Sequence, residues 1–144
     1  MYKFSNTSLE RLNSCDINIQ RVMDLAISRS DIDFGIAQGY RSVKEQQDLY
    51  AQGRTVPGDI VTYVDGVNKK SNHNYYPSKA VDIYAWVDGR AIWDSRELCY
   101  LAGVIISCAK ELGVNLRWGA NWDSDGIIIT DHDFVDLPHF ELDE

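Results

Sequence analysis

The run Ala80-Val81-Asp82-Ile83-Tyr84-Ala85-Trp86 constrains this chain more than any other stretch. Its length, its β-branched and aromatic content and the turn residues around it predict a buried strand. An aspartate inside such a strand is costly unless it is paired, hydrogen-bonded or bound to a metal. His73 stands nine residues upstream, across a polar loop that contains Pro77, and can fold back beside Asp82. Imidazole and carboxylate are common zinc ligands. A second dense patch, Asp136-Leu137-Pro138-His139-Phe140-Glu141-Leu142, lies near the C-terminus. The rest of the chain then has to be a scaffold that brings the two patches together.

The remaining pattern is that of one domain over residues 1–144, long enough for a core. Ser8 to about Ser30 predicts a helix with Leu9, Leu12, Ile19, Val22, Met23, Ala26 and Ile27 on one stripe, and with a break or a shift in packing around Asp16. Asp33 to Arg41 predicts a strand that leaves the core at Gly39. Ser42-Val43-Lys44-Glu45 fits a capping box that starts a short helix through Tyr50 and Ala51, with Gly53 as its stop. Residues 54–72 form a long polar loop, of the kind that serves as a lid or binding loop. Within it, 61–67 predicts a small hairpin turning at Asp65-Gly66. Ala91-Ile92-Trp93 predicts a short strand, and Asp94 or Ser95 caps the clearest helix, which runs to about Leu112 on an i, i+3, i+4, i+7 pattern. Val114–Trp118 and Pro138–Leu142 predict the last strands, with an aspartate-rich loop around Ile127-Ile128-Ile129 between them.

Composition narrows the classes without excluding a local basic patch. The net charge of −8, from 14 basic and 22 acidic residues, argues against a nucleic-acid partner. No run approaches a membrane span, and Met1-Tyr2-Lys3-Phe4-Ser5-Asn6 lacks the apolar core of a signal peptide. Cys15, Cys99 and Cys108 lack metal-type spacing, and Cys99 and Cys108 fall on opposite faces of one helix. Free thiols in a reducing compartment are expected.

Three histidines are present, His73, His132 and His139. A catalytic zinc takes three protein ligands and keeps a fourth position open, and His73, Asp82 and His139 make such a set. A hydrolase also needs a carboxylate to take a proton from water and pass it to the leaving amine. Asp136 is the candidate, provided that the chain bends before His139, because residues three apart on a regular strand face opposite ways. Pro138 favours such a bend. Glu141 shares the face of His139 and is placed to orient it. Taken singly, each residue has a plainer reading: Asp82 as a structural hydrogen-bonder, Arg41 as a surface arginine paired with an acid, His132 as a solvated loop residue.

Taken together, the patches resemble the zinc peptidases of the D-alanyl-D-alanine metallopeptidase superfamily, and most closely the phage and bacterial L-alanyl-D-glutamate endopeptidases. Gly39-Tyr40-Arg41-Ser42 with Gln46 is similar to the family's first motif, and Ser71-x-His73 with Pro77-Ser78-x-Ala80-Val81-Asp82 to its second. Leu116-Arg117-Trp118-Gly119-Ala120-Asn121-Trp122 resembles the segment before the last motif, and Asp136-x-Pro138-His139-Phe140-Glu141 that motif itself. The spacer from His73 to Asp82 is two residues longer than in many relatives. The resemblance implies an α+β fold of the hedgehog and D-Ala-D-Ala-peptidase type, a small antiparallel sheet with helices packed against it. It implies Zn²⁺ on His73, Asp82 and His139, Asp136 as base and then acid, Arg41 on the oxyanion, and Ser71 and Gln46 toward substrate.

The implied activity is hydrolysis of peptidoglycan stem peptides by an endolysin that cuts L-alanyl-D-glutamate. D-alanyl-D-alanine carboxypeptidase or dipeptidase activity, with Arg41 or Arg54 on the free substrate carboxylate, and a non-catalytic zinc-stabilised binding module are the alternatives. The expected protein is a monomer without membrane insertion, made in a host cytoplasm and released to the periplasmic wall through a separate pore. Asp123, Asp125, Asp131 and Asp133 carry two readings, a Ca²⁺ site or a solvated acidic loop.

Overall fold

The computed structural model describes residues 1–126 and 135–144. The expected N-terminal helix is two helices, α1 (Asn6–Asn13) and α2 (Ile17–Arg29). The break falls where the apolar stripe is interrupted, and Asp16 caps α2 by accepting from the Asn18 amide at 2.8 Å. The break also has a partner. Ser78 N–H donates to the Ser14 carbonyl and Asp16 N–H to the Ser78 carbonyl, both at 2.8 Å, which ties down the far end of the loop that carries His73.

The described residues form a five-stranded antiparallel sheet. Its central strand β2 (Ala80–Val87) pairs with β1 (Phe34–Gln38) along one edge. The other edge is shared: residues 80–82 pair with β5 (His139–Leu142) and 85–87 with β3 (Arg90–Ile92). β4 (Leu116–Trp118) pairs with β5 on the outside. α3 (Val43–Ala51) starts at the Ser42 capping box as the sequence predicts, and α4 (Ser95–Leu112) ends at Gly113 in the left-handed conformation.

Alternation along the strands separates two chemistries. Val81, Ile83 and Ala85 of β2 and Phe140 of β5 are fully buried in a core shared with α2 and α4. Asp82 and His139, which pair directly across the sheet, face the other way. Between Ile36 and Gln38 the register of β1 shifts, so that Gln38 pairs with Asp82. This bulge puts Gln38 in the same row as Asp82 and His139.

The hairpin expected at 61–67 is not formed. Asp65 instead accepts backbone hydrogen bonds from Val67, Asn68 and Lys69, and Gly66 N–H donates to the Lys69 carbonyl at 2.9 Å. A side chain that captures its own backbone in this way competes with strand pairing. Among the described residues no helix is long and apolar enough to cross a membrane. All three cysteines are free thiols, with Cys15 and Cys108 buried and Cys99 exposed.

Candidate metal centre and active-site cleft

His73 lies in a single 3-10 turn, Asn72–Asn74, opened by Ser71, whose Oγ accepts from the His73 amide at 3.2 Å. The turn is pinned from three sides. Arg41 N–H donates to the His73 carbonyl at 2.8 Å, Asn74 Nδ2 donates to the Arg41 carbonyl at 2.9 Å, and His73 Nδ1 bonds the Gly39 carbonyl at 2.7 Å. Gly39 has to be glycine: a Cβ there would stand 2.3 Å from the Arg11 carbonyl oxygen. Because a carbonyl only accepts, Nδ1 carries the hydrogen and Nε2 of the neutral ring is a lone pair. That Nε2 is buried, has no hydrogen-bond partner and lies 3.4 Å from Asp82 Oδ1.

The neutral ring of His139, the form that can bind a metal, takes the opposite tautomer. Its Nε2 meets Glu141 Oε1 at 2.7 Å, which leaves Nδ1 toward Asp82 Oδ1 at 3.0 Å. Glu141 is itself fixed by Asn72 Nδ2 at 2.7 Å and by Arg117 Nη2 at 2.6 Å. One ligand atom from each of His73, Asp82 and His139 lies within 4.8 Å of the others. Two imidazole lone pairs and a carboxylate at this separation, one lone pair buried without a partner, fit the donor set of a zinc-type ion. The Glu141 carboxylate behind His139 fixes the tautomer, as partners of metal-bound histidines do.

The electrostatics of the metal-free cluster follow. Burial opposes charge on Asp82, but the two imidazoles beside it, His73 and His139, outweigh that when they are protonated and hold the carboxyl well below its usual range. Burial likewise opposes charge on His139, and the bonds to Asp82 and Glu141 push it up to about 10. Asp136 goes the other way: burial and the charge of Asp82 raise it above an ordinary carboxyl.

The bend that Asp136 requires is present. The chain turns at Leu137-Pro138, the His139 amide donates to the Asp136 carbonyl at 3.1 Å, and Asp136 Oδ2 lies 3.9 Å from His139 Nδ1. Gly119 permits it, since a Cβ there would stand 2.2 Å from the Asp136 carbonyl oxygen. Arg41 enters from the β1 side, Nη2 3.7 Å from Asp82 Oδ2. Its Nη2 donates to Gln38 Oε1 at 2.7 Å and its Nη1 to Gln46 Oε1 at 2.8 Å, while its buried Nε has no partner.

These groups line a cleft of about 610 Å³ together with Thr62, Tyr63, Ser71, Arg117 and Trp122. Gln46 is fully buried. It bonds Arg41, Thr62 and the Val64 carbonyl, so it bears on the cleft through those partners. Arg54 stays outside the lining, stacked 3.9 Å over the Tyr50 ring. His132, Asp131 and Asp133 lie outside the described residues.

The sequence model of the phage L-alanyl-D-glutamate peptidase family matches residues 1–143. The chain belongs to that family. It is 37% identical over 123 residues to the peptidoglycan L-alanyl-D-glutamate endopeptidase CwlK of Bacillus subtilis (strain 168), covering 81% of this chain and 65% of CwlK. It therefore spans less than two thirds of that relative's length. It is 29% identical over 126 residues to the L-alanyl-D-glutamate peptidase of Escherichia phage T5, covering 87% of this chain and 85% of the phage protein. The crystal structure of the Serratia marcescens L-Ala D-Glu endopeptidase ChiX superposes with a TM-score of 0.72 at 25% identity, over 99% of this chain and 90% of ChiX.

Sequence reasoning did not find Gln38, Asn72 or Arg117 as parts of the site. Gln38 reaches Arg41 only because of the bulge in β1, and Asn72 and Arg117 meet Glu141 from distant segments. No local signal singles out any of the three, although Arg117 lies in the Leu116–Trp122 segment that resembles the family.

Proposed function

We propose that this chain is a zinc-dependent endopeptidase that hydrolyses the L-alanyl-D-glutamate bond of peptidoglycan stem peptides. The observation that carries the reading is the convergence of His73, Asp82 and His139 on one point of the cleft, with Asp136 beside it, in a member of this peptidase family. His73 Nε2, the Asp82 carboxylate and His139 Nδ1 would hold the ion. When bound, zinc supplies an electrophile that acidifies water and polarises a carbonyl.

The chain's own residues do the rest. Asp136 takes a proton from the attacking water and delivers it to the nitrogen that leaves, so one water is consumed, one C–N bond breaks, and a carboxylate and an amine result. Its raised proton affinity suits a group that must accept and then return that proton. Arg41, held by Gln38 and Gln46, donates to the oxygen on which negative charge develops. Glu141 keeps His139 in the ligating tautomer, and Ser71 holds the turn that aims His73.

The same reading makes residues 1–144 a single peptidase domain that acts as a monomer on the wall polymer and not on nucleic acid. As an endolysin it is made in the host cytoplasm and reaches the periplasmic wall through a separate pore. Membership of a phage family supports this.

The test is mass spectrometry of purified peptidoglycan digested by zinc-loaded protein, with Asp136→Ala as control. New amino termini on D-glutamate are expected from the wild type. Asp136→Ala should bind zinc and lose turnover by about 10²–10⁴-fold. Release of terminal D-alanine alone would replace the endopeptidase reading with a carboxypeptidase.

A further inference from the structure

Four basic side chains line the cleft among the described residues: Arg41, Lys69, Lys70 and Arg117. Two of them are committed. Arg41 is held by Gln38 and Gln46, beside Asp82. Arg117 is held by Glu141 at 2.6 Å and lies 3.7 Å from Asp143. Lys69 and Lys70 make no ion pair among the described residues, although the chain has 22 acidic residues to pair with its 14 basic ones. Lys70 Nζ lies 5.0 Å from the centre of the Tyr75 ring.

The segment that carries these lysines is built, not loose. Asp65 gathers the amides of Val67, Asn68 and Lys69, and Asn68 Nδ2 donates to its second oxygen at 2.8 Å. Gly66, at φ +80°, packs on Gln46, where a Cβ would stand 3.0 Å from Gln46 Cβ. Gln46 in turn bonds Arg41, Thr62 and the Val64 carbonyl. The turn bearing Lys69 is thus referenced, through one buried side chain, to the arginine at the reacting carbonyl.

A D-glutamyl residue has two carboxyl groups, and only one can carry a peptide onward. The other is free, on the residue whose nitrogen leaves in the proposed reaction. A carboxylate that enters a cleft already holding Asp82, Asp136 and Glu141 meets repulsion unless a cation receives it. We propose that Lys69 and Lys70 form a carboxylate-binding subsite that reads the free carboxylate of the D-glutamyl residue. This inference rests on the endopeptidase reading above. The subsite makes the enzyme selective for stem peptides in which this carboxylate is free over those in which it is an amide.

The test compares two synthetic stem tripeptides, one with the D-glutamyl carboxylate free and one with it as the carboxamide. Wild-type zinc-loaded protein should favour the free acid by about 10-fold in kcat/KM, chiefly through KM, since a hydrogen-bonded charge pair made equally in ground and transition states acts on binding. Lys69→Ala/Lys70→Ala should erase the preference by losing activity on the free acid and not on the amide, and Lys69→Arg/Lys70→Arg should restore it. An equal loss on both peptides, or a preference that survives the double alanine variant, overturns the subsite.

Calorimetry with Asp136→Ala, which leaves the peptide intact, supplies the second readout. Tighter binding of the free acid than of the amide, lost when Lys69→Ala/Lys70→Ala is added to Asp136→Ala, supports the subsite even where the wild type cleaves neither peptide. In that case it is the catalytic reading that falls. Normal cleavage with no discrimination in binding removes the subsite and leaves the catalytic reading standing.

Discussion

The two faces of the sheet use the same strands for opposite purposes. On β2, Val81 and Ile83 point into a dry core while Asp82, between them, points into the cleft. On β5, Phe140 is fully buried in the core while His139 and Glu141 sit in a polar network. The core face holds by removal of apolar surface from water, which is non-directional. The site face holds by hydrogen bonds that fix tautomers and leave two polar atoms, His73 Nε2 and Arg41 Nε, buried without partners. A buried polar group without a partner costs stability. The core thus holds the sheet together, and the other face carries groups poised for a ligand.

Changes to one face should therefore separate from changes to the other. The largest effect is expected on the core side. Phe140→Ala should lower unfolding free energy by about 3–5 kcal/mol, measured by urea titration, with or without metal. A loss much below that range would mean that β5 is held mainly by its polar face. On the site side, Glu141→Gln should leave the fold intact and weaken zinc binding by about 10–100-fold in a competition titration, because the carboxylate behind His139 is lost. Unchanged affinity would make Glu141 a partner of Arg117 and Asn72 and not a support for the metal.

The effect smallest at any single step is graded by pH. In chelator-treated protein, His139 is raised from 6.5 to about 10. A raised histidine contributes stability that is complete below its unfolded value and is lost as pH rises through its folded value. Metal-free protein should lose stability between pH 6.5 and about 10, by at most about 1.4 kcal/mol per pH unit from this proton. Zinc-loaded protein should show no such slope, since the ion takes the proton's place. Equal slopes in both forms would contradict the assignment of His139 Nδ1 to the metal.

The sequence was most legible where local rules decide the outcome. The periodicity of 95–112 predicts α4, Ser42 and Glu45 predict the start of α3, and the interruption at Asp16 marks the boundary between α1 and α2. Alternation along a strand predicts that Glu141 shares the face of His139. The illegible parts depend on distant partners. The expected hairpin gives way to a turn because Gln46 and Asp65 satisfy that backbone in another way. Arg41 carries no sign in sequence of the two glutamines that hold it, and one of those arrives through a bulge.

The most direct measurement is the zinc content of purified wild-type protein beside His73→Ala, Asp82→Ala and His139→Ala, each checked for folding by circular dichroism. One zinc per wild-type chain, lost or greatly weakened in all three folded variants, is the predicted result. A wild type that binds no zinc, or folded variants that all keep it, would contradict a metal centre at His73, Asp82 and His139.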